Sequence, residues 1–183
     1  MNEPHENRRV RMTKRLMKDA LLELLEQQEL SRISVTAICE RADVHRSTFY
    51  KYYTEPVEVL HELENDFLFQ IPLPPANLDI HSKDRFMQAN STFFDFVKEN
   101  AQAFRILLSG SEDGSFANRL LEMICDRYIV GELNPDTLKA RFIRLYIANG
   151  AIGMLREWIA RDFPISSEQF AEMVYVFSRK VIQ

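Results

Sequence analysis

Glycine and proline are scarce in this chain, with five and seven among 183 residues. A β-sandwich needs many tight turns, which these two residues usually supply, so their scarcity argues against that class of fold. Strand-like alternation of useful length is also missing. Apolar residues nevertheless make up 46% of the chain, which is enough for a hydrophobic core and too many for a disordered protein. The sequence therefore predicts an all-α fold of about nine helices.

Long apolar runs are missing too. No stretch approaches the length of a membrane-spanning helix, and the first residues carry no apolar signal segment. We therefore expect a cytoplasmic protein that has no membrane partner.

Few residues of this chain have the type and spacing of a disulfide, a metal site or a catalytic centre. Cys39, Cys125 and four scattered histidines show no metal-ligand spacing, so core packing in a reducing compartment explains the two thiols better than a disulfide or a metal site. No Ser-His-acid order, glycine-rich phosphate loop or carboxylate pair is present. We expect no metal, no cofactor, no catalytic residue and no enzyme activity.

The net charge of −4 argues against a nucleic-acid partner only until it is divided along the chain. Residues 1–60 hold ten basic and ten acidic side chains, so residues 61–183 carry the whole excess. Six cations and no acid lie between Arg8 and Lys18. Salt screens charges beyond about 10 Å, so this local cluster matters more for attracting phosphates than the net charge does. A solvated helix end explains the cluster equally well.

Helical periodicity divides the chain into a head, residues 1–60, and a body, residues 61–183. Residues 1–10 are expected to be frayed. Capping residues and prolines then mark the helix starts and the loops. The predicted helices are 11–28, 35–42 after Ser34, 46–53, 56–69 from Pro56, one after Ser82, one around Phe104, 116–130, 134–161 from Asn134-Pro135, and one after Ser166 to about Val181. Pro72, Pro74 and Pro75 predict a loop from Ile71 to Ser82.

Residues 34–60 form a helix, a short turn and a second helix. Phe49 and Tyr53 lie four apart on one face, where they can pack on the preceding helices. Arginine suits a guanine edge, and hydroxyls and lysine suit phosphates, so the other faces fit a DNA major groove. The groups projecting there are Arg46, Ser47, Tyr50 and Lys51. Ordinary helical bundles contain the same geometry, so spacing alone leaves DNA binding and plain packing equally open, and the exposed tyrosines favour DNA.

This segment resembles the TetR/AcrR family of transcriptional regulators. The resemblance rests on Ser34-Val35, Ala42-x-Val44, Ser47-Thr48-Phe49-Tyr50-x-Tyr52-Tyr53 and a helix beginning near Pro56. The stretch YIANGAIGMLREWIARD resembles a helix of the dihydroxyacetone-kinase regulator subgroup. The resemblance implies a three-helix helix-turn-helix head on double-stranded DNA and a helical body for dimerisation and ligand sensing. It also implies a homodimeric, ligand-responsive repressor that binds a pseudo-palindromic operator, with an effector of unknown identity.

The resemblance also assigns the DNA contacts. Phosphates would be held by Ser34, Thr48, Tyr50 and Tyr52, and base edges would be reached by Arg46, Ser47 and, less strongly, Lys51. Three positions depart from the family pattern. Glu29 replaces a helix-ending glycine, His45 replaces a better N-cap, and Pro56 replaces a lysine that touches the DNA backbone. The last change removes one cation, although the first amides of that helix can still face a phosphate.

The body leaves more alternatives open. Its many aromatic residues, including Phe142 and Tyr146, mostly suit a core, and some can line an effector cavity. Asn149 interrupts an apolar helix and is expected to be buried with a structural hydrogen bond. The last two helices carry small residues that suit a partner subunit or packing within the chain. A coactivator that works through a protein partner, without DNA binding of its own, remains the alternative function.

Overall fold

The computed structural model describes residues 8–76, 78–79, 81–109, 115–125, 127–129 and 137–182. These residues form nine α-helices and one pair of two-residue strands, which confirms the predicted all-α class. The chain divides into two compact units between Phe69 and Gln70, nine residues beyond the predicted limit after residue 60. A single helix, Pro56–Gln70, contains both positions. Within the described residues, no helix is both long and apolar enough to cross a membrane.

The N-terminal unit contains four α-helices and a short 3-10 turn. They are α1 (Arg8–Leu25), the 3-10 turn Leu30–Arg32, α2 (Val35–Ala42), α3 (Arg46–Phe49) and α4 (Pro56–Gln70). The predicted fraying is wrong for residues 8–10, which are helical, and residues 1–7 lie outside the described part of the chain. Ser34 caps α2 as predicted, because its hydroxyl accepts a hydrogen bond from the Ala37 amide at 3.1 Å.

The turn between α2 and α3 depends on an unusual backbone conformation. Asp43 ends α2 with a φ of 52°, in the left-handed region that favours glycine. The Val44 amide then donates to the Cys39 carbonyl at 3.0 Å and closes the helix end. This closure sends the chain sharply from α2 into α3. The core beneath the turn consists of fully buried Met17, Leu21, Ile38, Phe49 and Val59.

The C-terminal unit is a helical bundle in which α8 packs on three other helices. Its elements are β1 (Leu78–Asp79), α5 (Lys83–Glu99), α6 (Ala101–Ser109), α7 (Ser115–Cys125), β2 (Tyr128–Ile129), α8 (Leu138–Ala160) and α9 (Ser167–Ile182). α5 packs mainly on α9, and α8 packs on α6, α7 and α9. An aromatic cluster joins these layers: Trp158 stacks on Phe170 with ring centroids 4.3 Å apart, and Phe94 meets both rings edge-on.

Of the helix limits predicted in this unit, one is wrong, one lies outside the described residues and one is confirmed by its capping residues. The helix predicted to reach Val130 is wrong, because α7 ends at Cys125 and Tyr128–Ile129 pairs in parallel with Leu78–Asp79. An aromatic residue followed by a β-branched one favours an extended strand over a helix. The predicted start at Asn134-Pro135 lies outside the described residues; Thr137 caps α8. The predicted capping box of α9 is confirmed, since Ser166 and Gln169 exchange hydrogen bonds of 3.0 and 3.1 Å.

Candidate nucleic-acid interface

α3 is fixed in place by its buried aromatic side. Phe49 is fully buried, and the ring of Tyr53, also buried, lies 5.7 Å from it. The regular helix covers only Arg46–Phe49, which is shorter than the predicted 46–53. The amides of Tyr52 and Tyr53 both donate to the Phe49 carbonyl at 2.9 Å, so the chain continues as a tight turn. The segment therefore keeps a fixed outer face to Tyr53.

The outer face of this segment carries most of the predicted contact residues. Arg46, Ser47, Tyr50 and Lys51 are exposed, and Thr48 and Tyr52 are half-buried. Ser34, also exposed, lies at the start of α2, where its hydroxyl oxygen caps that helix. The face thus presents a guanidinium, an ammonium and several hydroxyls to solvent, the donor set that suits phosphates and guanine edges.

Two of these side chains contact each other. Arg46 Nη2 donates to the Tyr50 hydroxyl at 3.3 Å, and the guanidinium carbon lies 5.9 Å from the centre of the Tyr50 ring. This hydrogen bond raises the pKa of Arg46 above its ordinary value, so the guanidinium stays charged. Tyr50 in turn meets the buried Phe49 ring edge-on at 5.7 Å. A chain of contacts therefore leads from the core to the exposed cation.

Tyr52 lies close to two lysines. The ammonium of Lys51 lies 5.6 Å from the centre of its ring, and that of Lys14 lies 6.0 Å away and 5.7 Å from the Tyr53 ring. Lys14 belongs to α1 and was not predicted as a contact residue. Its involvement is a tertiary effect, since nothing in the local sequence links residue 14 to residue 52. The exposed ammonium of Lys51 beside this ring makes the phenol a suitable neighbour for a phosphate.

The basic cluster between Arg8 and Lys18 divides into two parts. Lys14 and Lys18 bind Glu62 of α4 at 3.1 and 3.2 Å, and Lys18 also binds Asp66. Burial raises the pKa of Glu62, but hydrogen bonds from both lysines outweigh it and hold the pKa below its ordinary value. The exposed part of the cluster is Arg8, Arg9, Arg11 and Arg15. The two lysines are thus held in ion pairs with α4, which neither earlier explanation included, and the arginines are exposed. Phosphate contact by these arginines stays a prediction.

The start of α4 carries a carboxylate that sequence reasoning missed. Glu58 accepts hydrogen bonds from the Thr54 amide at 2.7 Å and from its hydroxyl at 2.9 Å. These two bonds lower the pKa of Glu58, the amide making the larger contribution. The anion lies at the helix end where the family pattern has a lysine, so this end is less favourable for a DNA phosphate than a bare helix N-terminus. Thr54 and Glu58, four apart around Pro56, were the available signal.

The C-terminal unit contains a small, partly open cavity of about 50 Å³. Apolar side chains from α5, α8 and α9 form most of its wall, and Asn90, Arg144 and Ser178 supply the polar groups. Asn90 is buried and donates to the Phe86 carbonyl at 2.8 Å. Cys125 also lines the cavity, whereas Cys39 is buried in the N-terminal unit, where desolvation raises the pKa of its thiol. The described residues contain no cluster of three His, Cys, Asp or Glu side chains that could hold a metal ion.

α8 and α9 expose a continuous apolar surface, which we call the α8–α9 stripe. It consists of Leu138, Phe142, Tyr146, Gly150, Gly153, Met173, Val176, Phe177 and Val181. Phe142 and Tyr146, expected mostly in the core, are 61% and 68% exposed. The predicted burial of Asn149 is also wrong: it is exposed beside the stripe and donates to the Leu145 carbonyl at 2.8 Å. A Cβ added at either glycine would meet no atom within 4 Å, so packing inside the chain does not require them.

Comparison with known proteins identifies a family for more than half of the chain and similar folds for most of it. Residues 84–180, more than half of its length, match a TetR family described as "Transcriptional regulator C-terminal region". Among solved structures, a TetR transcriptional regulator from Streptococcus agalactiae 2603V aligns with a TM-score of 0.70 and 20% identity, covering 93% of this chain and 96% of that one. No curated protein matches the chain by sequence.

Two further structures are similar in fold. A TetR-family protein from Syntrophomonas wolfei aligns with a TM-score of 0.66 and 19% identity, covering 94% of this chain and 95% of that one. The dihydroxyacetone kinase operon activator DhaS aligns with a TM-score of 0.60 and 19% identity, covering 93% and 96%. At these identities the similarity establishes the fold.

Proposed function

The chain belongs to the TetR family of transcriptional regulators, and we propose that it binds double-stranded DNA as a homodimer and represses transcription from a pseudo-palindromic operator. The observation that carries this proposal is the outer face of the segment 46–53, which presents Arg46, Tyr50 and Lys51 while buried Phe49 holds it from behind. A short helix anchored in this way can enter a major groove without rearrangement of the head. Two such helices in a dimer need to lie about 34–36 Å apart, or a multiple of that, to reach successive grooves.

The exposed groups divide into two kinds of contact. Arg46 and Ser47 at the start of α3, with Lys51 as a weaker candidate, would reach base edges. Phosphates on either side would be held by Ser34, Thr48, Tyr50 and Tyr52. The exposed arginines of α1 add positive charge to this unit, and one of them, Arg15, lies 3.6 Å from Asp19 of the same helix. A head that is neutral in sum therefore offers its cations locally, near α3 and on α1.

The α8–α9 stripe is the proposed homodimer interface. From the exposed fractions of its seven large apolar side chains, we obtain about 700 Å² of apolar surface per chain. A stable interface buries about 800 Å² per partner, so these side chains alone nearly suffice. The two exposed glycines would let a helix of the second copy approach closely. Each glycine costs a helix about 0.5–1 kcal/mol relative to alanine, and packing within the chain gives no reason for that cost.

The cavity in the C-terminal unit is the proposed effector site. Small-molecule sites usually have about 300–1,000 Å³, so the present 50 Å³ must expand when an effector enters. Its wall suits a largely apolar molecule with one polar group directed at Asn90 or Arg144. The effector can shift DNA binding only by the difference between its affinities for the two states of the regulator.

An alternative is a coactivator that lacks DNA binding of its own. Two observations favour it as the second candidate: the structural neighbour DhaS is named as an operon activator, and Pro56 with Glu58 replaces the usual positive start of α4 by a carboxylate. Retention of duplex DNA separates the two functions. The experiment is an electrophoretic shift at several salt concentrations with genomic fragments from around the gene of this protein. Salt-sensitive, sequence-selective retention supports the regulator, and no retention supports the coactivator.

Three variants test the assignment of contacts. Arg46→Ala should cost about 1–3 kcal/mol of binding free energy and relax the sequence preference. Tyr52→Phe should weaken binding to all sequences similarly, because a phosphate contact carries no sequence information. Arg32→Ala, an exposed arginine of the same unit outside α3, is the charge-matched control. If Arg46→Ala and Tyr52→Phe both bind like wild type, the assigned contacts are wrong.

A further inference from the structure

The contact between Arg46 and Tyr50 gives the tyrosine a role beyond holding a phosphate. The two residues are four apart, and their side chains meet on the exposed surface through the 3.3 Å hydrogen bond, with the guanidinium carbon 5.9 Å from the centre of the ring. Tyr50 is 53% exposed, yet its ring rests on the fully buried Phe49. The long arginine side chain is therefore supported by a ring that is itself supported by the core.

The hydrogen-bonding capacity of both groups allows this contact to persist on DNA. A guanidinium has five N–H donors, and a bidentate contact with guanine O6 and N7 uses two of them. A phenol accepts through its lone pairs and donates through its own O–H. While Tyr50 accepts from Arg46, its proton remains available for a phosphate oxygen. The same tyrosine can thus connect the base-reading arginine to the DNA backbone.

We propose that Tyr50 is a positioning residue that holds Arg46 in the orientation that reads a guanine in each half-site. This inference rests on the proposed DNA-binding function. The resemblance to the family assigns Tyr50 a phosphate, a contact that changes affinity equally for all sequences. Positioning of Arg46 changes the preference for guanine as well, because a guanidinium fixed before binding loses less freedom when it forms the bidentate contact.

The test uses a library of random duplexes, followed by single duplexes in which the selected guanine is replaced by 7-deazaguanine. The analogue lacks the N7 acceptor, so it removes one of the two contacts to Arg46 and leaves the backbone unchanged. The proteins are full-length wild type, Arg46→Ala, Tyr50→Phe and Tyr52→Phe. Tyr52→Phe is the matched control. It also removes a phenol hydroxyl, two residues from Tyr50, but the ring of Tyr52 lies near lysines and not near Arg46.

We expect wild type to prefer guanine over 7-deazaguanine and Arg46→Ala to show no such preference. Tyr50→Phe should reduce the preference about threefold to tenfold, the change that one net hydrogen bond produces. Tyr52→Phe should weaken binding to both duplexes and keep the wild-type preference. A wild-type preference in Tyr50→Phe overturns the inference and leaves the DNA-binding function intact. A wild-type protein that enriches no sequence overturns both.

A measurement without DNA tests the same contact independently. NMR relaxation of the Arg46 Nε–H group should report a restricted side chain in wild type and in Tyr52→Phe, and a more mobile one in Tyr50→Phe. Tyr50 is exposed and its ring is retained in the variant, so the fold should be unchanged. Equal mobility of Arg46 in wild type and Tyr50→Phe would overturn the positioning role whatever the binding data give.

Discussion

Substituting Tyr146 by glutamate should separate the proposed dimer into monomers. Tyr146 is 68% exposed in the single chain, which corresponds to about 150 Å² of surface. A symmetric dimer buries it twice, so at about 25 cal/mol per Å² the two rings contribute up to about 7 kcal/mol. Truncations at the centre of an interface more often cost about 2–4 kcal/mol. We therefore expect the dimer dissociation constant to rise by at least about thirtyfold, measured by sedimentation equilibrium over a range of concentrations.

The two glycines of the α8–α9 stripe give the experiment a second arm with effects of opposite sign. In the isolated chain, Gly150→Ala and Gly153→Ala add a Cβ that meets nothing within 4 Å. Each should therefore stabilise α8 by about 0.5–1 kcal/mol, measured by thermal unfolding under dissociating conditions. In a closely packed dimer the same methyl groups would overfill the contact and weaken association by about 1–3 kcal/mol per site. A general folding defect cannot produce this combination.

A control variant outside the α8–α9 stripe and two possible outcomes decide whether this surface is the dimer interface. Met12→Glu changes an apolar residue of α1 that is 53% exposed, and it should leave the association unchanged. Sedimentation of Tyr146→Glu and Gly153→Ala indistinguishable from that of wild type would show that this surface is not the interface. A wild-type protein that stays monomeric at all concentrations would do the same.

Three further predictions concern the N-terminal unit. Glu58→Gln removes the carboxylate at the start of α4 and should raise DNA affinity about twofold to threefold in shift assays, with exposed Glu29→Gln, outside α4, as control. Because the pKa of Glu62 is lowered in the fold, its ion pairs stabilise the fold above the unfolded-state pKa near 4.5, and this stabilisation is lost as the pH falls below that value. Wild type should therefore lose more stability than Glu62→Gln on acid titration. Equal losses would contradict this. Asp43→Gly should raise the free energy of unfolding by about 0.5–1 kcal/mol, because glycine adopts the left-handed backbone without strain; destabilisation would show that the Asp43 side chain matters more.

The features that could be predicted from sequence depend on neighbouring residues. Ser34, Ser82 and Ser166 were each chosen as helix caps, and each side chain accepts a hydrogen bond from an amide three residues on. A cap is a local contact, so its residue types are visible in a short window. The end of α7 carries no such signal. Its position depends on pairing with Leu78–Asp79, almost fifty residues earlier in the chain.

In the candidate interface, too, features set by neighbouring residues could be predicted and contacts between distant residues could not. The outward direction of Arg46 and Tyr50 followed from the helical spacing of Phe49 and Tyr53, since an anchored face fixes the opposite one. The ion pairs of Lys14 and Lys18 with Glu62 did not follow, because they join residues more than forty apart. Only the matching four-residue spacings within α1 and α4 hinted at this pairing. Tertiary structure therefore decides which cations of a basic run form ion pairs within the fold.

α8 carries large apolar residues beyond the side that the described residues cover. Its buried side carries Ala148, Ile152, Leu155 and Ile159, whereas Leu138, Phe142 and Tyr146 lie on an exposed side. An apolar stripe on a helix normally faces a packed surface, so helical periodicity alone could not show that these aromatic residues are exposed in the single chain. Core packing was therefore the wrong prediction for Phe142 and Tyr146. In the proposed dimer, a second copy of α8 and α9 would cover this exposed side and would explain the two glycines that packing within the chain does not require.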